Sequence, residues 1–95
     1  MLFAIHALDG SDGLALRKIS QPAHSAHLAK AADYGVRIVM AGPLVEDDGT
    51  TMKGSLLVVE ADDRIDVEAF NHADPYKATG VWTAVTITAF QKRQG

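Results

Sequence analysis

Hydrophobic positions cluster in several short stretches of the 95-residue chain, and turn-forming residues separate these stretches. The first stretch, over residues 2–8, is followed by DGSDG, a composition typical of turns. The last, over residues 81–90, is rich in β-branched and aromatic side chains and follows Gly80. These patterns predict β-strands. Strands are predicted over residues 2–8, 36–45, 52–60 and 81–90.

The second and third predicted strands are joined by a hairpin. Asp48-Gly49 is a turn signal between them. Gly42-Pro43 interrupts the second strand, which favours an edge position or a bulge there, because proline cannot donate to a ladder. In the third strand the run from Leu56 to Val59 is apolar on both faces. An antiparallel sheet exposed on one side normally alternates with polar residues, so both faces of this sheet are predicted to be covered.

Two helical segments are predicted between the first two strands. Residues 14–19 could form one or two turns of helix. A separate helix is predicted to start around Pro22, because proline is tolerated in a first turn, and to end at Gly35. At about 100° per residue, His24 and Leu28 share one face of this helix.

Another helix is predicted between the third and fourth strands. Asp62 or Asp63 would cap it, and it would end near His72. Asp74-Pro75 then begins a single helical turn that Gly80 closes. The inner side of the longer helix is predicted to carry Ile65, Ala69 and Phe70.

The element order strand, helix, strand, strand, helix, strand predicts one α+β domain over residues 1–95. This order is the ferredoxin-like βαββαβ plan, with a four-stranded antiparallel sheet and two helices on one face. The other face, apolar to judge from the third strand, needs a cover. A second copy packed sheet to sheet would provide it, so a homodimer is predicted.

Composition excludes several classes of function. A net charge of −3 gives no basic surface for nucleic acid. The absence of cysteine excludes disulfides and thiolate metal sites. The short apolar start, MLFAIHAL, lacks the length and basic residues of a signal peptide, and no run approaches a membrane span. We therefore expect a cytoplasmic protein that binds neither nucleic acid nor membrane.

An ordered set of short motifs resembles the YCII-related family and covers nearly the whole chain. No single motif in the set is specific; the order and spacing carry the resemblance. The motifs are Pro22-Ala23-His24, Leu28, Gly35, Ala41-Gly42-Pro43, Gly54-Ser55, Asp74-Pro75-Tyr76 and Gly80-Val81.

The resemblance implies a ferredoxin-like domain that pairs into a dimeric α+β barrel, similar to muconolactone isomerase. It also implies an active-site pair of His24 and Asp74, and one branch of the family is similar to dehydrochlorinases of chlorinated hydroquinones. Many members carry arginine three residues before the histidine, where this chain has Gln21. If that arginine holds an anionic substrate, Arg17 or Lys18 must replace it here, or the substrate differs.

His24 and Asp74 each have a chemical and a structural interpretation. Imidazole titrates near neutral pH, so His24 could act as a general acid and base. It could equally be a partly buried histidine bonded to a backbone carbonyl. Asp74 could orient the ring, or it could only cap the turn that begins at Pro75. We expect the two side chains to touch, because the first and last strands of this fold are neighbours.

Five further residues are predicted to contact a ligand rather than to take part in the chemistry. Arg17, Gly42, Pro43, Ser55 and Tyr76 are predicted to line the ligand site, although Gly42-Pro43 could be only an edge feature. Ser55 has no Gly-x-Ser-x-Gly context, so at most its hydroxyl would bind substrate.

A metal site is considered and not predicted. His24 and His27 lie three residues apart, a spacing that permits chelation, with Asp74 as a third ligand. The histidine–glutamate patterns of metal enzymes are missing, however. His6 and His72 are expected at the surface or in satisfied core positions.

Three functions are compatible with these residues. The first is a cofactor-free enzyme that transfers a proton, as an isomerase or lyase, on a small cyclic or phenolic substrate. No glycine-rich nucleotide loop supports an organic cofactor. The second is a non-catalytic homodimer that binds a small ligand. The third is a structural or regulatory dimer.

Overall fold

A computed structural model describes residues 1–95 as a four-stranded antiparallel sheet with helices on one face. The strand order is β2-β3-β1-β4, so the first and last strands are neighbours. The predicted α+β fold and element order are confirmed. None of the helices combines the length and the hydropathy that a membrane crossing requires. The elements are β1 (Leu2–Asp9), α1 (Gly13–Leu28), a 3₁₀ turn (Ala31–Tyr34), β2 (Arg37–Val45), β3 (Met52–Glu60), α2 (Arg64–His72), α3 (Pro75–Ala78) and β4 (Trp82–Phe90).

Helix α1 corrects the prediction of two separate segments. It runs unbroken from Gly13 to Leu28, with Pro22 in its interior. Proline has no N–H to give to the carbonyl four residues earlier, that of Lys18. Both residues are exposed, so water can donate a hydrogen bond to the carbonyl that the proline leaves unpaired. Gly35, with φ of 74°, ends the 3₁₀ turn and not α1.

Helix α2 presents a different face to the core from the one predicted. Val67, Phe70 and Asn71 are buried, whereas Ile65 is 70% exposed and Ala69 is also exposed. The buried positions follow an i, i+3, i+4 spacing, as one face of a helix requires. The predicted inner side was therefore right for Phe70 and wrong for the other two residues. Asp63 occupies the N-cap position, but its side chain makes no capping hydrogen bond.

The hydrophobic core lies between the sheet and the helices. Alternate residues of β1 and β3 point into it, as the two-residue period of a strand dictates. The helices and the segment before β4 close it from the other side. Its fully buried side chains include Ile5, Leu57, Val59, Val67, Phe70 and Val81.

The opposite face of the sheet carries the other set of alternate residues and is not covered within one chain. Ala4 pairs with Val58 on β3 and with Thr88 on β4, and Met40 of β2 lies beside Val58. Further members of this face are Leu2, His6, Leu8, Leu44, Leu56, Thr86 and Phe90. We call this surface the open sheet face. Its apolar character is unusual for a sheet surface in contact with water.

Strand β2 lies at the edge of the sheet, as the Gly42-Pro43 dipeptide predicted. The dipeptide itself pairs regularly with β3, and the register shifts on either side of it, near Val39 and before Val45. The β2–β3 hairpin is closed by Asp48, whose carboxylate accepts hydrogen bonds from the side chain and backbone of Thr51 and from the backbone of Thr50. These bonds lower the pKa of Asp48 to about 2.

Candidate active site

A cavity of about 350 Å³ opens between α1, α3 and the neighbouring strands β2 and β3. Its mouth includes exposed residues of α1 and β2, and its floor is formed by buried side chains. Half-buried and buried polar groups are thus brought together with apolar walls, as is usual for small-molecule sites. The cavity is lined by Arg17, Gln21, His24, Ser25, Leu28, Ala41, Gly42, Pro43, Met52, Ser55, Leu57 and Tyr76.

His24 and Asp74 meet at the wall of this cavity. Nδ1 of His24 lies 2.8 Å from Oδ1 and 3.0 Å from Oδ2 of Asp74. The Asp74 side chain is 1% exposed and that of His24 is 12% exposed. A carboxylate only accepts, so the neutral imidazole must carry its proton on Nδ1, and Nε2 keeps a free lone pair. The fold therefore joins two residues that are fifty positions apart in the sequence.

Asp74 also caps α3. Its Oδ1 accepts a hydrogen bond of 2.9 Å from the backbone N–H of Tyr76, with Pro75 in the first turn of the helix. Oδ1 therefore serves both the cap and His24, and Oδ2 also lies within hydrogen-bond distance of the His24 ring. Because the cap fixes the carboxylate, it also fixes the position of the imidazole.

Two aromatic rings hold the His24 imidazole from the sides. The Tyr76 ring stacks on it with centroids 3.8 Å apart, and the Trp82 ring meets it edge-on at 5.9 Å. Burial raises the pKa of Tyr76 above its ordinary 10.0, an effect that the charge of Arg17 partly opposes. Tyr76 is thus a neutral phenol near pH 7, and the ring of His24 is packed in one orientation.

Arg17 is buried beneath the cavity and bound mainly to protein groups. Its Nε lies 2.6 Å from Oδ2 of Asp9. Its Nη2, with two N–H bonds, donates to the Gly54 carbonyl and Ser55 Oγ at 2.6 and 2.8 Å and shares a hydrogen with Oδ1 of Asp9 at 3.1 Å. The guanidinium also lies 5.0 Å from the centroid of the Tyr76 ring. Nη1 is left with the weaker contacts, at 3.9 Å from Met52 Sδ and beside the Tyr76 side chain. Arg17 therefore ties α1 to β1 and β3, and a ligand would meet one of its nitrogens.

Glycine is required where Arg17 reaches β3. A Cβ atom at Gly54 would overlap the Ala7 carbonyl on the neighbouring strand. The close strand approach brings the Gly54 carbonyl to 2.6 Å from Nη2 of Arg17. Glycine at position 54 is thus required by the close packing of the strands. Ser55, the next residue, places a polar group in the cavity.

The structure places every residue of the predicted ligand site around this one cavity. Gly42 and Pro43 contribute the β2 side, and Gln21 stands at the mouth, where its amide donates to Ser25 Oγ at 2.8 Å. Asp9 was interpreted only as a turn residue, yet it is the ionic partner of Arg17. An aspartate at the end of a strand, eight residues before an arginine in a helix, was the available signal. Lys18 is exposed and does not line the cavity.

The other histidines have separate environments. Nε2 of His27 donates to the Phe70 carbonyl at 2.8 Å, and its ring stacks on that of Phe70. His6 and His72 are exposed. No group of three or more His, Asp or Glu side chains is placed to share a metal ion. His24 and His27 therefore use their rings on different protein partners.

The geometry of the cavity permits proton transfer. His24, whose Nε2 is free to act as a base, lines the cavity together with Ser55 and Arg17. Asp74 would stabilise the imidazolium that forms when Nε2 takes a proton.

Comparisons with known proteins agree with this architecture. A family model described as the YCII-related domain matches residues 1–91. The protein YciI of Escherichia coli O6:H1 and the protein YciI of Shigella flexneri are each 35% identical to the chain over 97 residues. These alignments cover 97% of the chain and 98% of each relative.

Two solved structures are similar in fold. The first is 5-chloro-2-hydroxyhydroquinone dehydrochlorinase (TftG) from Burkholderia phenoliruptrix AC1100, in complex with 2,5-dihydroxybenzoquinone. It has a TM-score of 0.82 and 28% identity, with 96% of this chain and 94% of that chain covered. The second is a mutant of MhuD with two manganese protoporphyrin IX molecules per active site. Its TM-score of 0.50 and identity of 17% show a likeness of fold alone.

Proposed function

The chain belongs to the family of YCII-related domains, and we propose that it is an enzyme that transfers a proton on a small cyclic or phenolic molecule bound beside His24. His24 is the acid–base residue, and Asp74 orients and stabilises its ring. Arg17, Gly42, Pro43, Ser55 and Tyr76 bind the ligand. The reaction is of the isomerase or lyase type.

The observation that carries the proposal is the contact between His24 Nδ1 and the buried Asp74 carboxylate. His27 illustrates a structural role, because its Nε2 donates to the Phe70 carbonyl and the residue does not line the cavity. His24 instead keeps Nε2 free at a cavity. This arrangement suits a base that must take a proton and return it.

The chemistry requires no group beyond the side chains present. Nε2 removes a proton from a hydroxyl or from a carbon beside a carbonyl, and the electron pair moves onto the ligand. The imidazolium, paired with Asp74, then returns the proton elsewhere or to the leaving group. No cofactor is therefore part of the proposal.

The substrate class is supported by likeness to the dehydrochlorinase. That enzyme is 28% identical to this chain and was solved with a dihydroxyquinone. The cavity here, about 350 Å³ with Leu28, Met52 and Leu57 among its walls, would accommodate a single ring. A small phenolic or quinone-like compound is consequently the proposed ligand.

A homodimer is also part of the proposal, formed through the open sheet face. Val58, Leu56 and Ala4 lie on this face, and Met40 is 59% exposed there. Burying this surface against a second copy would remove apolar area from water and so add to the modest core of a chain of this size.

Turnover of 5-chloro-2-hydroxyhydroquinone, followed as chloride release, tests the proposed reaction. His24→Gln removes the base, so we expect its rate to fall by roughly two to four orders of magnitude. The matched control is His27→Gln, on the same helix but outside the cavity, which should keep the wild-type rate. Binding is measured in parallel with 2,5-dihydroxybenzoquinone, using the fluorescence of Trp82, the single tryptophan of the chain.

The two measurements separate an enzyme from a binding module. Tight binding by the wild-type protein without chloride release would favour the non-catalytic alternative for this compound class. Equal rates for wild type and His24→Gln would contradict the role of His24.

A further inference from the structure

The hydroxyl hydrogen of Ser55 is available to a ligand in the cavity. A serine oxygen offers two lone pairs and one O–H. Both lone pairs are used, because Nη2 of Arg17 donates to Ser55 Oγ at 2.8 Å and Nε1 of Trp82 donates to it at 3.2 Å. Arginine and the indole nitrogen can only donate, so neither can accept the Ser55 hydrogen. No other protein group accepts it, and Ser55, 4% exposed, lines the cavity.

Arg17 provides a second group of the same kind. Asp9, the Gly54 carbonyl and Ser55 occupy its Nε and Nη2 donors. Nη1 carries two N–H bonds, and its hydrogen-bond contact is the sulfur of Met52 at 3.9 Å, a weak acceptor. The Tyr76 side chain also lies beside the guanidinium. Arg17 is 5% exposed, so this nitrogen is buried at the same cavity floor.

The Ser55 hydroxyl hydrogen and Nη1 of Arg17 are therefore donors at the floor that lack a strong acceptor in the hydrogen bonds described. The carboxylate of Asp9 is the nearest negative charge, and it is committed to Arg17 through two contacts. An oxygen atom on a ligand would satisfy both donors. Hydrogen bonds to a charged oxygen are stronger than those to a neutral one, so the floor prefers an anion.

We infer that Ser55 and Arg17 form an oxyanion site that binds the ionised oxygen of a phenolate or enolate. The inference rests on the proposed function, because it assigns the substrate class of the same cavity. When Nε2 of His24 removes a proton from a carbon beside a carbonyl, the C–H pair forms a C=C bond and the carbonyl π pair moves to oxygen. That oxygen accepts from Ser55 O–H and Arg17 Nη1–H. For a phenol, the O–H pair stays on the oxygen.

The probe for this site is 4-nitrophenol, whose phenolate is yellow and whose phenol is not. The midpoint of its ionisation is measured by absorbance, free and with protein in excess. The measurement is made in wild type and in His24→Gln, which cannot store the proton. We expect the protein to favour phenolate by about a hundredfold in both, because each of the two hydrogen bonds to a charged group contributes about tenfold. This readout needs no turnover and no base, so it can fail or succeed independently of the proposed reaction.

Variants of serine then locate the site. Within the His24→Gln protein, Ser55→Ala should remove about tenfold of the preference for phenolate. Ser20→Ala is the matched control, because Ser20 is also a buried hydroxyl of 5% exposure but bonds to Thr79 away from the cavity. It should leave the preference unchanged.

Ser55→Cys covers the case in which Ser55→Ala does not fold. Cysteine is of similar size, accepts weakly and is a weak donor, so it should give an intermediate preference. Equal binding of phenol and phenolate by wild type and His24→Gln overturns the inference. An unchanged preference in a folded Ser55→Ala or Ser55→Cys protein also overturns it.

Discussion

Asp74 and Asn71 are two buried polar residues whose hydrogen-bonding needs are met very differently. Asp74, 1% exposed, is bonded to His24 and to the backbone of Tyr76. Asn71, 5% exposed, has a buried Oδ1 without any partner. An unmet buried polar atom destabilises a fold, whereas a fully bonded one does not. The hydrogen-bonding needs of the Asp74 carboxylate are therefore met at the candidate site, whereas the Asn71 carbonyl on α2 is left unpaired.

Replacing Asn71 by leucine should stabilise the protein. Leucine has a similar shape, removes the unpaired carbonyl and adds apolar burial, so we expect the free energy of unfolding to rise by about 1 kcal/mol. Urea denaturation followed by Trp82 fluorescence measures the change. Asn71→Asp places a charge in the same position and should lower stability instead. If leucine lowers stability as aspartate does, the Asn71 amide has a partner that this account lacks.

Single residues of the candidate site were predictable where local rules and topology agree. Asp74-Pro75 signals a helix cap, and the strand order brings that cap to the helix that bears His24. The Arg17–Asp9 pair was missed, because each residue has an ordinary local interpretation and the eight-residue spacing between them is a weak signal. Only the packing of α1 against β1 and β3 shows that the guanidinium serves four acceptors.

At the scale of elements, the strands followed their pattern more closely than the helices did. The predicted third strand, residues 52–60, agrees with β3 from Met52 to Glu60. The helices failed where a local signal competed with burial. Pro22 suggested a helix start, yet it lies in the exposed middle of α1, where water can replace the lost backbone bond. Ile65 suggested a core position, yet the strand-facing stripe of α2 falls on Val67 and Phe70.

Replacing Pro22 by alanine should restore the backbone hydrogen bond to the Lys18 carbonyl. The gain of a regular helix exceeds the added freedom of the unfolded chain, so we expect about 2 kcal/mol of added stability. Thermal unfolding followed by circular dichroism measures it. A lower melting temperature would show that α1 depends on the proline for its shape.

At the scale of the whole molecule, one face of the sheet remains open in a single chain. One chain covers the helix side of the sheet and leaves an apolar surface on the other. The run from Leu56 to Val59 predicted this, because its residues alternate between the two sides. Leu57 and Val59 are buried under the helices, and Leu56 and Val58 lie on the open sheet face. The pattern identifies this face as apolar, but it does not show which chain or element packs on it, so the homodimer stays a prediction.

Val58→Asp should prevent dimerisation, because it places a charge at the centre of the open sheet face. Light scattering should give the wild-type protein about twice the 10.1 kDa mass of one chain. Val58→Asp should give a monomer or fail to fold. Ile65→Asp, at a residue 70% exposed on α2, is the control and should leave the dimer intact. A wild-type monomer at micromolar concentration would contradict the proposed homodimer.

The nitrogen-15 spectrum of the histidine rings tests most directly whether His24 and Asp74 form an acid–base pair at a ligand cavity. The account predicts that neutral His24 carries its proton on Nδ1, and that added 2,5-dihydroxybenzoquinone shifts the signal of the bare Nε2. His27 is an internal reference, because its bond to the Phe70 carbonyl requires the opposite form, with the proton on Nε2. A neutral His24 protonated on Nε2, or an Nε2 signal that the ligand does not move, would contradict the account.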